Sequence, residues 1–196
     1  MTSNNDKTVF EIVRIIRQPL DRVWKAWTEA EQLQHWWGPK GCKLEVGRFE
    51  FRPGGFCHSA MKCPEAPVMW GRFNYREIEA PRRLVWLNSF ANEHCGIARA
   101  PFSEYCPLEI LNSVTFSEQD GVTTITLRAE PFGAVEEERV FFDELRPFQV
   151  DDYGGVRDQD LHRRRASMRR LLHLAIEFAH GYTEQLCSFR IGHGTF

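Results

Sequence analysis

Apolar positions along this chain follow two periods in turn. Between Pro19 and Pro39, Leu20, Val23, Trp24 and Trp27 recur at i, i+3, i+4 and i+7, one face of an α-helix that must lie on something equally apolar. Pro19 suits a first helical turn, where its missing N–H is no loss, and Asp21 stands where the helix dipole favours negative charge. Thr28 and Glu31 are spaced as a capping box, which predicts a break there and a short second helix that ends at Trp36 and Trp37 and is stopped by Gly38 and Pro39. Ahead of the helices, residues 9–17 are rich in β-branched side chains and predict a strand leading directly into the first of them.

After the tryptophan pair the period drops to two. Residues 43–46, 48–52 and 56–62 predict strands with a turn at Arg52-Pro53-Gly54-Gly55, and 56–62 sets Phe56, His58 and Ala60 on one face against Cys57, Ser59 and Met61 on the other. Residues 68–79 and 83–90 are strands divided by Ala80-Pro81, and 111–116 and 122–128 flank an Asp120-Gly121 hairpin signal. The irregular segment 91–107 is long enough to be a functional lid or a disordered loop, and both stay open. Residues 136–145 predict a helix with an acidic first turn, halted at Pro147. Leu161, Met168, Leu172, Ala175 and Ala179 then mark a second helical run, with Arg163, Arg164, Arg165, Arg169 and Arg170 on other faces. Residues 8–183 are expected to form one domain, with 1–7 and 184–196 as flexible tails.

Composition adds that 13% of the chain is aromatic, with 15 Phe and 6 Trp, which implies a large packed core or an aromatic-lined cavity. The net charge of −2 supplies no field for nucleic acid or anionic membrane, and the arginine run lacks interleaved aromatics, so it is expected to be a solvated helix face. The first residues are polar and no run approaches the ~18 apolar residues of a membrane span, so a cytoplasmic location is expected. Six cysteines, Cys42, Cys57, Cys63, Cys95, Cys106 and Cys187, form no C-x-x-C and are expected to be free thiols filling small gaps.

Four ordered segments carry a resemblance: VWKAWTEAEQLQHWWGP (23–39), RFEFRPGGFCHSAM (48–61), WGRFNYREIEAPRRLVWLNSF (70–90) and SVTFSEQDGVTTITLRAE (113–130). In that order and at those separations they resemble the family of proteins similar to the activator of the heat-shock protein 90 ATPase, within the START-like superfamily. The likeness covers residues 8–159 apart from the 91–107 insertion, and the Arg-rich DLHRRRASMRR stands where the family usually has a smoothly amphipathic helix. It implies an α+β helix-grip fold, in which a curved antiparallel sheet wraps a long C-terminal helix, with two short helices after the first strand. It also implies a cavity between sheet and helix, and no fixed catalytic set.

Trp36, Trp37, Phe56, Phe73, Tyr75, Trp86 and Phe90 are the expected lining of that cavity. Asn88 shares strand parity with Trp86 and Phe90, as His58 does with Phe56, so these two are expected to supply the few polar contacts that orient a ligand in a mostly apolar pocket. Catalysis would need a nucleophile with a base, or paired carboxylates, converging on one pocket. Glu77, Glu79, His35 and Glu136 to Glu138 have no partner set by a local motif and are expected to be solvated charge, so no catalytic residue is assigned. Cys57 and His58 point to opposite strand faces, and neither a metal nor a cofactor is expected. Three functions stay open: binding of a small apolar or aromatic molecule, a co-chaperone role in stress response acting on a chaperone ATPase, or a cyclase- or hydrolase-type enzyme using the same cavity. A monomer and a homodimer are equally compatible with the sequence.

Overall fold

The computed structural model describes residues 9–38 and 41–145. The expected helical run of 161–179 with its arginines, the halt at Pro147, Cys187 and both expected tails lie outside them. The chain runs β1 (Phe10–Ile16), α1 (Leu20–Thr28), α2 (Ala30–Trp36), β2 (Lys43–Phe49), β3 (Phe56–Lys62), β4 (Met69–Glu79), β5 (Arg83–Ala91), β6 (Ile97–Ala98), β7 (Glu109–Gln119), β8 (Val122–Phe132) and α3 (Glu136–Leu145). The strands form one curved, unclosed antiparallel sheet in the order β1-β8-β7-β5-β4-β3-β2, with β6 added beside β5. This is the α+β helix-grip arrangement.

Register explains which side chains meet. One row across the sheet is Phe10, Ala129, Asn112, Trp86 and Tyr75; the next along β5 is Ile110, Asn88, Phe73 and Cys57; a third is Phe90, Gly71 and Ser59. Directly opposed residues share a face, so these rows define the inner surface on which the helices lie. The apolar stripe of α1 settles on β7 and β8, where Trp24 stands edge-on to Phe116 at 5.3 Å and Trp27 to the same ring at 5.7 Å. The Trp36 indole donates to the Ala26 carbonyl at 2.8 Å and fixes α2 against α1.

Local chemistry at the helix ends departs from expectation. Thr28 does not cap α2: its hydroxyl donates back to the Trp24 carbonyl at 2.9 Å, and the flanking residue of α2 is Glu29, with no side-chain cap. A threonine in the last turn can back-bond to the carbonyl four residues earlier in its own helix instead of reaching forward. Pro19 stands just before α1 rather than within it, and the first free amide, Leu20 N–H, donates to a Glu118 carboxylate oxygen at 2.6 Å. Thr123, at the far side of the same β7–β8 hairpin, donates to the Gln18 carbonyl at 2.8 Å. The hairpin tip thus holds the start of α1 in place of a local cap.

The two expected strands 43–46 and 48–52 are one strand, β2, whose register shifts between Val46 and Arg48. The predicted Asp120-Gly121 turn forms with both residues at positive φ, 54° and 74°, the geometry that matches the twist of a two-residue hairpin. The cysteine expectation is corrected: Cys42 and Cys63 are joined by a disulfide, while Cys57, Cys95 and Cys106 are free. Lys43 and Lys62 are register partners, so the residues just outside them face one another, a proximity that sequence spacing does not display. The solvated role expected for Glu138 is also corrected. Its side chain is buried, accepting from Arg99 at 2.6 Å and from the Val135 N–H at 3.1 Å. It thereby closes the first turn of α3 and ties that helix to the segment after β6.

Candidate functional site

A cavity of about 140 Å³ opens on the inner face of the sheet. Its floor comes from Met61, Gly71, Phe73, Asn88 and Asn112, and its β1–β8 side from Phe10, Ile12, Leu127 and Ala129. Trp37 enters from the end of α2 and Phe142 from α3. The segment after β6 supplies Phe102, Cys106 and Pro107, with the Phe102 ring edge-on to Phe90 at 5.5 Å. Of the two roles open for 91–107, the structure therefore gives it an ordered wall. Its first part is a tight hairpin, in which Asn92 accepts from the amides of His94 and Gly96 through its side chain.

Four residues expected to line a cavity do so: Trp37, Phe73, Asn88 and Phe90. Trp36, Trp86 and Tyr75 share the inner side but form the packed layer beside the cavity. Trp86 lies within 6.0–6.4 Å of Phe73, Trp27 and Trp37, and Tyr75 stands edge-on to Phe49 and Phe51. Burial, and then the Cys57 sulfur beside it, push the Tyr75 hydroxyl well above the ordinary tyrosine range, so it stays neutral.

Phe56 and His58 fall on the other face, and their expected inward orientation is corrected. The parity within β3 is as predicted, but Cys57, Ser59 and Met61 are the residues that turn inward. Phe56 lies under the guanidinium groups of Arg48 and Arg72, at 4.4 and 4.0 Å from its ring centre. His58 stacks on Trp70 at 4.9 Å with the planes 3° apart, and its Nε2 is 2.9 Å from the Asn92 carbonyl, which fixes Nε2 as the protonated nitrogen. Nearly all of β3 is buried on both sides, so alternation alone did not distinguish its inner side.

Asn112 and Ser59 are polar residues of the cavity that were not singled out from sequence. Asn112 shares parity with Val114 and Phe116, and a lone amide on an otherwise apolar strand face was the available signal. Among the described residues that line the cavity none carries a charge, and no charged pair of the kind that runs acid–base chemistry faces it. Glu77 is paired with Arg83 at 2.9 Å, and His35 Nδ1 meets the Glu31 carbonyl at 2.6 Å on an exposed helix face.

Two thiols sit in this interior, Cys57 and Cys106, and burial pushes each up to about 12. For Cys106, Glu138 nearby adds to the rise and Arg99 opposes it. A thiol with that value is essentially never a thiolate at neutral pH, so neither is a nucleophile. Iodoacetamide at pH 8, followed by peptide mapping of the folded protein, is expected to leave Cys57 and Cys106 unmodified while labelling both in urea. Because the folded values are raised, the associated stability is fully present below about 8.5 and is lost as pH climbs from there towards 12. Rapid labelling of either thiol in the native protein at pH 8 would contradict the burial described.

The profile of the family described as Activator of Hsp90 ATPase homolog 1-like protein matches residues 17–145. A search of the curated proteins found no match. Among solved structures, one from Mycobacterium smegmatis aligns with a TM-score of 0.64 at 21% identity, covering 98% of this chain and 96% of its own. One from Arthrobacter aurescens aligns at 0.62 and 20%, with the same coverages of 98% and 96%. One from Silicibacter pomeroyi aligns at 0.52 and 15%, covering 69% of this chain and 88% of its own. At such identities the structures establish the fold, while the family match spans more than half of the chain. The aligned span takes in both short helices, the seven strands from β2 to β8, and α3, and the chain belongs to the family of Activator of Hsp90 ATPase homolog 1-like proteins, with its START-like fold.

Proposed function

We propose that this protein binds a small, largely apolar molecule in the cavity on the inner face of its sheet and does not react with it. The observation that carries this is the cavity lining: aromatic and aliphatic walls interrupted by a few amides and hydroxyls, with Asn88 and Ser59 making no side-chain hydrogen bond to any described residue. Polar groups in an apolar interior are ordinarily satisfied, and a bound molecule is one way to satisfy them. Turnover has no support from the lining, since its only titratable side chain among the described residues is the neutral Cys106.

Gly71 allows a direct test. It lines the cavity, and a Cβ built there meets only ordinary contacts, 3.9 Å to Ser59 Oγ and 4.0 Å to the Ser89 carbonyl. A leucine at this position projects into the empty space with no backbone penalty, and replaces a residue that strands disfavour. Gly71→Leu is expected to fold with stability within about 1 kcal/mol of wild type. It is also expected to lose whatever small molecule the wild type retains in native mass spectrometry, together with displacement of an apolar dye. Undiminished binding by the filled variant would place the binding site elsewhere, and time-dependent conversion of the retained molecule would make the protein an enzyme.

A further inference from the structure

We infer that the molecule this cavity is built for is a neutral, single-ring aromatic compound carrying an O–H or N–H donor, and that Asn112 accepts that hydrogen bond. The inference deepens the binding proposal above and rests on it. Size comes first. At about 140 Å³ the space matches an apolar protein cavity of about 150 Å³ that holds benzene, and falls short of the roughly 300 Å³ at which common ligand pockets begin.

Charge narrows the class. None of the described lining residues is ionised, so an anionic or cationic ligand would give up its hydration and find no counter-charge. The ring edges and faces of Trp37, Phe73, Phe90 and Phe102 instead favour another ring.

Asn112 sets the polarity of the ligand. Its Nδ2 donates to the Ile110 carbonyl at 3.0 Å, and the amide cannot turn over without setting its oxygen against that carbonyl. Oδ1 is therefore committed as an acceptor, and no described residue donates to it. The residue is buried and borders the cavity. A ligand with a hydroxyl or an N–H completes this group, whereas one with only an ether oxygen or a bare ring leaves it unpaired. Asn88, at the diagonal position across β5 and β7, adds a second amide able to donate or accept in the same cavity.

The experiment measures binding of phenol, anisole, benzene, benzoate and the larger neutral dye N-phenyl-1-naphthylamine to the full chain at pH 7, by calorimetry or ligand-detected NMR. Phenol is expected to bind about tenfold or more tighter than anisole or benzene, with benzoate undetected. Asn112→Leu is expected to abolish the preference for phenol while leaving anisole within about twofold, since only the acceptor is lost. Should that variant not fold, the wild-type series decides alone. Equal affinity for phenol and anisole, or tighter binding of benzoate, overturns the role given to Asn112. Binding of the dye with none of the single rings overturns the size argument and leaves the binding proposal standing, while no binding by any of the five probes overturns both.

Discussion

Trp27→Ala is expected to destabilise the protein by about 3–5 kcal/mol, the range for removing a large aromatic from a packed core. Trp27 is 5% exposed and its ring lies 4.8 Å from Trp36, 5.7 Å from Phe116 and 6.2 Å from Trp86. It touches α2, the sheet and the aromatic layer beside the cavity together. These neighbours are held by different elements, so they cannot close over the void in concert, which is the condition for a cost at the high end. Urea melts of wild type and variant measure it. A loss under about 1 kcal/mol would mean that the α1 stripe is not packed as described.

Gly55→Ala is expected to cost as much as or more than the about 3 kcal/mol upper end for overpacking, although the change adds a single methyl. A Cβ at Gly55 would stand 2.2 Å from the Glu50 carbonyl and 3.0 Å from that of Arg52. Both obstacles are backbone, and neither is free to move. Glu50 N–H donates to Phe56, the Arg52 carbonyl accepts from Gly55 N–H, and the Gly55 carbonyl accepts from Tyr75 N–H at 3.0 Å. The turn thus enters the β4 register where it shifts between Tyr75 and Glu77. Gly54 provides the control. It has φ +78° with nothing within 4 Å of a Cβ, so Gly54→Ala is expected to cost only the about 1–2 kcal/mol of a left-handed alanine. If thermal denaturation ranks Gly54→Ala as the worse of the two, the turn is not packed against Glu50 in this way.

The comparison of Gly54 with Gly55 shows where sequence stops. Arg52-Pro53-Gly54-Gly55 is legible as a turn, because proline and glycine punctuate the chain wherever they occur. Which glycine tolerates a side chain depends on the Glu50 and Arg52 carbonyls that crowd it and on how the turn is held, since Gly54 N–H and the Gly55 carbonyl both bond Tyr75 of β4, some twenty residues further along. The same division holds for the candidate site. Trp37, Phe73, Asn88 and Phe90 were identified from strand parity and the helix end. Asn112 and Ser59 were not, since a single polar residue in an alternating run carries no mark of what lies opposite it. Phe102 and Cys106 belong to a segment with no period at all, and its place is shown by tertiary contacts: the Arg99–Glu138 pair, the Phe90 ring against Phe102, and the Asn92 and Cys95 carbonyls that meet His58 and Arg72.

The sequence by itself determined the amphipathic face of α1, the hairpin at Asp120-Gly121 and the order of elements apart from β6. These follow from short-range periods and turn residues that act within one turn of helix or one hairpin. The family was legible separately, through the resemblance carried by the four ordered motifs. Only the tertiary structure decided which side of β3 faces inward, because a strand buried on both faces gives alternation without a direction. It also decided that Cys42 meets Cys63 and that Glu138 is a buried partner of Arg99 rather than a solvated charge. It decided too that the Phe56–His58 row packs under arginines and Trp70 rather than under a ligand. Each of these depends on register between strands or on contacts between elements far apart in the chain. The free energy of such contacts comes from what each side chain meets after folding, and the side chain's own neighbours in sequence do not specify it.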